Sequence, residues 1–272
     1  MEIIKAIILG LIQGLTEFLP ISSSGHLLLA ENLLGFHQPD LSFEVFLHLG
    51  SLVAVLIYFR KDIFKLLQSI FLFNNKSSYH EGNRNIVFFL LVSTMVTGLM
   101  YFFLQDYIDK AFDTAKGTGI FFVSVMLMVT GVILYLSDLI ENGKRNMTSM
   151  GLRRSAFIGL AQSLALLPGI SRSGTTIAAT VFSGVNREDA TRYSFLLSIP
   201  AILGANISHI SELAALSSEL WIQYIAGFIA AFFSGYVVIR FLINMVKKQK
   251  LKYFSYYVWA VAVVFITIYL VG

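Results

Sequence analysis

Glu17 and Arg172 each stand inside a stretch that is otherwise apolar, and each has small polar residues around it. An ionised group at membrane depth costs about 3 kcal/mol or more even on the lenient insertion scale, so charges kept there usually mark a site or a pathway. Gln13 and Glu17 are four apart, on one face of a helix. Two oxygens there suit a hard divalent cation, Mg2+ or Ca2+, with substrate oxygens and water completing the shell. Ser22, Ser23, Ser24, Gly25 and His26 follow Pro20. Proline ends one helix and serine caps the next. Capping needs no histidine. His26, the serines and Glu17 therefore supply a base, a nucleophile and a carboxylate within ten residues.

The second cluster runs from Pro168 to Thr176. Gly169 and Gly174 let backbone approach an anion, and a helix starting here would offer its N–H groups and positive end. Ser171, Ser173, Thr175 and Thr176 add hydroxyls, and Arg172 adds a planar fork suited to phosphate oxygens. Helix packing would account for the small residues but not for the arginine; a bare structural Glu–Arg pair would need neither polar cluster. An anion site open to lipid implies a substrate with a phosphate head and an apolar tail. With a metal site and a Glu/Ser/His group beside it, the chemistry is phosphoryl hydrolysis. Ser23 or His26 attacks phosphorus, or one of them activates water; residue types alone leave that choice open. Glu44 and His48, at the outer end of a span, read as interfacial residues, with a place at the border of the pocket as the alternative. His37, His80 and His209 are assigned no role.

The elements that must hold these residues are membrane helices. Of 272 residues, 56% are hydrophobic and 13% charged, against about 25% charged in soluble domains. With no cysteine, disulfides, thiolate metal sites and cysteine nucleophiles are excluded. Spans of roughly 20 residues are expected at 86–104, 117–137, 193–211, 220–239 and 253–272, with a sixth at 43–59 that contains Glu44 and His48. The N-terminal run carries Glu17 and is not expected to be a cleaved signal peptide. Residues 3–34 and 155–185 are apolar but broken by proline and serine-glycine clusters, which predicts re-entrant helix pairs lining a protein-enclosed or wet cavity.

The two broken stretches also resemble each other: residues 10–26 laid on 159–175 match at eight of 17 positions, including Gln13/Gln162, Ser22/Ser171, Ser24/Ser173 and Gly25/Gly174. An odd number of crossings separates them, so the copies are inverted. The first repeat is expected over 1–137 and the second over 151–272, with the site where they meet. Sixteen basic residues fall on one side of this topology and three, Lys5, Lys110 and Lys116, on the other. The heavy side should be cytoplasmic, with both termini outside. The basic run at 247–252 is then a topology signal, and no nucleic-acid partner is expected. The rival reading is a flippase or transporter of polyprenyl phosphate, since inverted repeats are a transporter plan.

Gln13, Glu17 to Pro20, Ser22, Ser23, Gly25 and His26, taken with Pro168, Gly169, Ser171 to Gly174 and Thr176, resemble the two signature regions of the bacterial undecaprenyl-diphosphate phosphatase family, the bacitracin-resistance type. The resemblance covers essentially the whole chain. It implies hydrolysis of undecaprenyl diphosphate to the monophosphate and inorganic phosphate at the plasma membrane, recycling the lipid carrier of cell-wall synthesis. It also implies dependence on Mg2+ or Ca2+ and a pocket facing outward. By motif position Gln13 and Glu17 take the acidic-type pair, with Gln at the first place, and Ser23, His26, Ser171, Arg172, Ser173 and Thr176 the other implicated positions. A homodimer is compatible with this reading. The other large class of membrane lipid phosphatases needs a later histidine-aspartate element, and Ala178 stands where it would begin.

Overall fold

A computed structural model describes residues 2–35, 42–71, 77–113, 119–208 and 218–271. The described residues are helical apart from turns and one isolated bridge between Arg145 and Val185. In chain order the helices are α1 Glu2–Phe18, α2 Ser23–Leu34, α3 Ser42–Tyr58, α4 Arg60–Phe71, α5 Ser78–Asp113 and α6 Gly119–Leu139, then α7 Leu152–Leu164, α8 Arg172–Phe182, α9 Arg187–Ser208, α10 Ser218–Lys247 and α11 Leu251–Val271. His37 and His209 lie outside the described residues.

Four segments are long and apolar enough to cross a bilayer: Tyr79–Asp106, Gly119–Leu139, Leu220–Lys247 and Leu251–Val271. Their outward side chains include Leu99, Phe102, Phe233 and Val237, all more than half exposed. This is an all-α, multi-pass membrane protein. Two of the expected spans take a different form. The helix expected at 43–59 is α3, which bends by 75° at Phe59 into α4, a helix the sequence reading missed. The one expected at 193–211 begins earlier, at Arg187, because Glu188 and Asp189 favour the positive end of a helix.

Small residues decide which helices touch. In lipid there is little hydrophobic drive between helices, so close backbone approach carries the packing. α1 lies along α10, where a Cβ on Gly14 would collide with the Ala231 carbonyl and the Ser234 hydroxyl. Gly50 brings α3 equally close to the Phe228 carbonyl of α10. α6 pairs with α11 and α5 with α7, and α8 packs against α6, α7 and α9.

Both broken stretches appear as helix pairs that pack on themselves, α1 with α2 and α7 with α8. Each second helix starts on a serine cap. Ser22 accepts from the Gly25 N–H at 3.3 Å and Ser171 from the Gly174 N–H at 3.1 Å. At the opposite end of α9, Arg192 pairs with Asp62 of α4 at 2.8 Å, Lys247 of α10 with Glu188 at 2.8 Å, and buried Arg187 donates to the Ser137, Asp138 and Ile140 carbonyls closing α6. The basic connecting segments are thus gathered together.

Candidate active site

Glu17 closes the last turn of α1 and is buried. Its Oε1 meets the Arg172 guanidinium, which enters from the first turn of α8, 155 residues away. Its Oε2 accepts from Ser23 Oγ at 2.7 Å and from Gln13 Nε2 at 3.0 Å. The two expected clusters therefore converge on one carboxylate. The position follows from local rules: Pro20 stops α1 one turn beyond Glu17, and Ser171 as N-cap sets Arg172 at the first helical position of α8.

A third contact takes up the alternative reading of His48, at the border of the pocket. His48 of α3 places Nε2 at 3.3 Å from Glu17 Oε2, while its Nδ1 lies 2.7 Å from the Glu44 carbonyl. A carbonyl only accepts, so Nδ1 carries a proton. Nε2 meets the carboxylate favourably when it too carries a proton, and Glu17 lies between an imidazole and a guanidinium. Interfacial placement is therefore corrected for His48. On α3, His48 is one turn before Ser51, whose Oγ accepts from Gln13 at 3.4 Å.

Beside Glu17 is a cavity of about 260 Å³. Its polar wall is Glu17, Ser22, Ser23, Ser24, His48, Ser171, Arg172 and Asn206, and Ile170, Ala201 and Ile202 contribute to the apolar part. Among the described residues the Nη1 of Arg172 is buried without a partner; a buried donor without an acceptor is costly, and an anionic oxygen would satisfy it. Asn206 went unnoticed inside an apolar span, although a lone amide in such a span is itself a signal.

The remaining expected residues build the frame. Ser173 Oγ donates to the Leu19 carbonyl at 3.0 Å and so joins the two hairpin tips. Thr176 bonds the Arg172 carbonyl at 2.8 Å and Ser194 of α9 at 2.6 Å, fixing the turn that carries the guanidinium. Gly25 and Gly174 donate the capping N–H groups. Ser22 and Ser24 approach each other at 3.3 Å, as Ser171 and Ser173 do at 3.2 Å. Ser22 holds a positive φ of 72°, a strained geometry that non-glycine residues keep mainly at functional sites. Thr130 of α6, also unexpected, donates to the Gly169 carbonyl at 2.9 Å and accepts from the Ser171 N–H at 3.0 Å.

His26 stands apart. It lies outside the cavity wall; its Nδ1 is 2.8 Å from the Ser22 carbonyl, and its Nε2 is 2.9 Å from the hydroxyl of Tyr257 on α11. The two rings stack at 5.6 Å.

This geometry can be set beside known proteins. A family described as "Bacitracin resistance protein BacA" matches residues 6–264. The chain belongs to the BacA family. Among relatives of this BacA-family chain, it is 41% identical over 272 residues to the undecaprenyl-diphosphatase of Methanobrevibacter smithii, covering 97% of this chain and 96% of that one. It is 40% identical over 270 residues to that of Halothermothrix orenii, covering 98% of each, and 39% identical over 268 residues to undecaprenyl-diphosphatase 1 of Shouchella clausii, covering 97% and 95%. In this BacA-family member no group of three or more His, Asp or Glu side chains is placed to hold a metal among the described residues.

Proposed function

We propose that this chain hydrolyses undecaprenyl diphosphate to undecaprenyl phosphate and inorganic phosphate, and so returns the lipid carrier to cell-wall synthesis and confers bacitracin resistance. One observation carries the reading. The Ser23 hydroxyl and the Arg172 guanidinium meet on the same buried carboxylate, Glu17, at the wall of a cavity. A serine, a base to take its proton and an anion-binding fork are the parts a phosphoryl transfer needs.

Incoming diphosphate oxygens compete for Arg172, which leaves Glu17 less neutralised and more basic. Ser23 Oγ gives its proton to Glu17 and attacks the terminal phosphorus. The bond from that phosphorus to the bridging oxygen breaks, and the lipid monophosphate departs with the proton from Glu17. Water then gives a proton to Glu17 and displaces Oγ, which takes that proton back as inorganic phosphate leaves. Ser23 is preferred to His26 as nucleophile because both ring nitrogens of His26 are held by Ser22 and Tyr257. In this reading His26 fixes the turn that presents Ser23.

A divalent cation, Mg2+ or Ca2+, fits on a limited donor set. Gln13 Oε1 is buried without a partner, and the amide nitrogen beside it is 3.0 Å from Glu17 Oε2. Turning the amide would set two oxygens at the spacing of a coordination shell, and a cation held by few protein oxygens takes the rest from substrate and water. Gln13 and Glu17 would hold it, and it would neutralise charge on the diphosphate.

The wider architecture we propose is two inverted repeats, 1–137 and 151–272, with six spans, two re-entrant pairs, both termini outside and the cavity facing outward. The pairing of α1 with α10 and of α5 with α7, counterparts under such a repeat, supports it. So does the rise along α9, which at 1.5 Å per residue puts Ala201 to Asn206 about 14–21 Å beyond Arg192 of the basic end.

The test is phosphate release from undecaprenyl diphosphate in detergent, where there are no sides to cross. Turnover that requires a divalent cation and is lost in Glu17→Gln and Arg172→Ala supports the phosphatase. Lipid binding without phosphate release would support the flippase instead.

A further inference from the structure

Helix α4 has three distinct sides. Leu66 and Ser69 face inward, and Asp62 is tied to Arg192. Phe64, Leu67, Ile70 and Phe71 are exposed by 67%, 49%, 43% and 84%, and at 100° per residue they form one continuous stripe. Lys61, Lys65 and Gln68 are exposed along the edge next to that stripe, and Arg60 heads it. The helix leaves α3 at 75°, so it turns away from the direction of the span.

We propose that α4 lies in the membrane–water interface of the basic end, with its apolar stripe sunk into the outer acyl region and its lysine edge against anionic lipid headgroups. Three observations converge. A helix continuing α3 across the bilayer would not bend this far. A helix in water would not expose two phenylalanines on one stripe. A short amphipathic helix with basic residues beside its apolar face is the form that binds at an interface, and anionic lipid adds electrostatic attraction. Charge also selects among occupants: a second copy packed on the same face would set Arg60, Lys61 and Lys65 against their own likes, whereas an anionic leaflet offers the opposite sign. The proposal is independent of the catalytic reading, because none of these residues reaches the cavity.

The absence of cysteine makes the experiment direct. Single substitutions Phe71→Cys and Lys65→Cys are labelled with a polarity-sensitive fluorophore in the full chain, reconstituted in vesicles of mixed phosphatidylcholine and phosphatidylglycerol. The label at position 71 should be quenched by lipids brominated near the headgroup and shielded from iodide; the label at position 65 should be open to iodide. Brominated phosphatidylglycerol should quench position 71 better than brominated phosphatidylcholine. Lys61→Gln with Lys65→Gln should weaken that preference by up to about fivefold per lysine, with phosphate release in detergent unchanged. An iodide-accessible label at 71, quenching lost on self-association, or a lipid preference indifferent to the lysines would overturn the proposal.

Discussion

A carboxylate that accepts from Ser23 and Gln13 and faces Arg172 and His48 is one node of a network, so its neighbours should differ in what their loss does. Ser23→Ala should lower kcat by about 10³-fold or more and abolish any acid-trappable phosphoserine, whereas His26→Ala should leave the trapped species detectable. Arg172→Lys keeps a charge and loses the fork, and about a 10²-fold loss of kcat is expected, the scale of one donor removed from a transition-state cradle. For His48 the discriminating pair is His48→Gln and His48→Leu. Glutamine can still donate toward Glu17 and should stay within about tenfold of the parent; leucine leaves the carboxylate short of a donor and should cost about 10²-fold. Equal loss in both would mean that proton transfer, not hydrogen bonding, is the part His48 plays. The convergence of Glu17 and Arg172 was legible in the sequence because a charge in an apolar stretch is conspicuous. His48 was not, since a histidine near a span end has an ordinary interfacial reading and only the packing of α3 beside α1 brings it inward. For His26 the motif neighbours suggested chemistry, and its contact with Tyr257, a residue 231 positions away that no spacing rule connects to it, was not legible.

At the scale of elements, the breaks in the two hairpins are held by specific atoms. Gly169 has a φ of +98°, and a Cβ there would press on the Val123 carbonyl and the Met126 side chain of α6. Gly169→Ala should therefore destabilise the fold by about 1–3 kcal/mol and move Arg172 as well. Lower thermal stability in detergent together with a raised KM would register both. Thr130→Val removes the hydroxyl that serves Gly169 and Ser171, and should cost about 1–3 kcal/mol for the buried groups left unpaired. At the other hairpin, Gly14→Leu should separate α1 from α10 and displace Gln13 and Glu17 together, so the variant should lose activity even where it remains folded. The hairpins themselves could be read from Pro20, Pro168 and their serine-glycine clusters. α4 could not, because its mixed composition resembles an ordinary charged loop, and its identity rests on the apolar stripe of Phe64, Leu67 and Phe71 seen only in helical projection.

The whole molecule depends on where its charges lie relative to the membrane. Under the proposed architecture, six spans and two pairs that return to their own side would leave the termini on one side, which the basic connections would make the outer one. Tags at either end should thus be removed by protease added to intact cells, while one inserted near Lys144 should be protected. A protected C-terminal tag beside an exposed N-terminal one would remove the proposed topology. The count of crossings was readable from apolar length for α5, α6, α10 and α11. For α3 and α9 the spans expected at 43–59 and 193–211 have charged or polar residues within the helix itself, and length alone no longer separates a span from a buried helix.

The partner of Glu17 is encoded 155 residues downstream. At 5–20 residues per second a ribosome needs about 10–30 s to bridge that interval, so each nascent chain passes through a period in which the first hairpin is inserted with its acid uncompensated by the arginine. Newly made N-terminal halves should stay wet, loosely seated and open to surveillance proteases until synthesis of α8. A chain truncated before α8 should be cleared quickly, and supplying the C-terminal half as a separate polypeptide should prolong its lifetime.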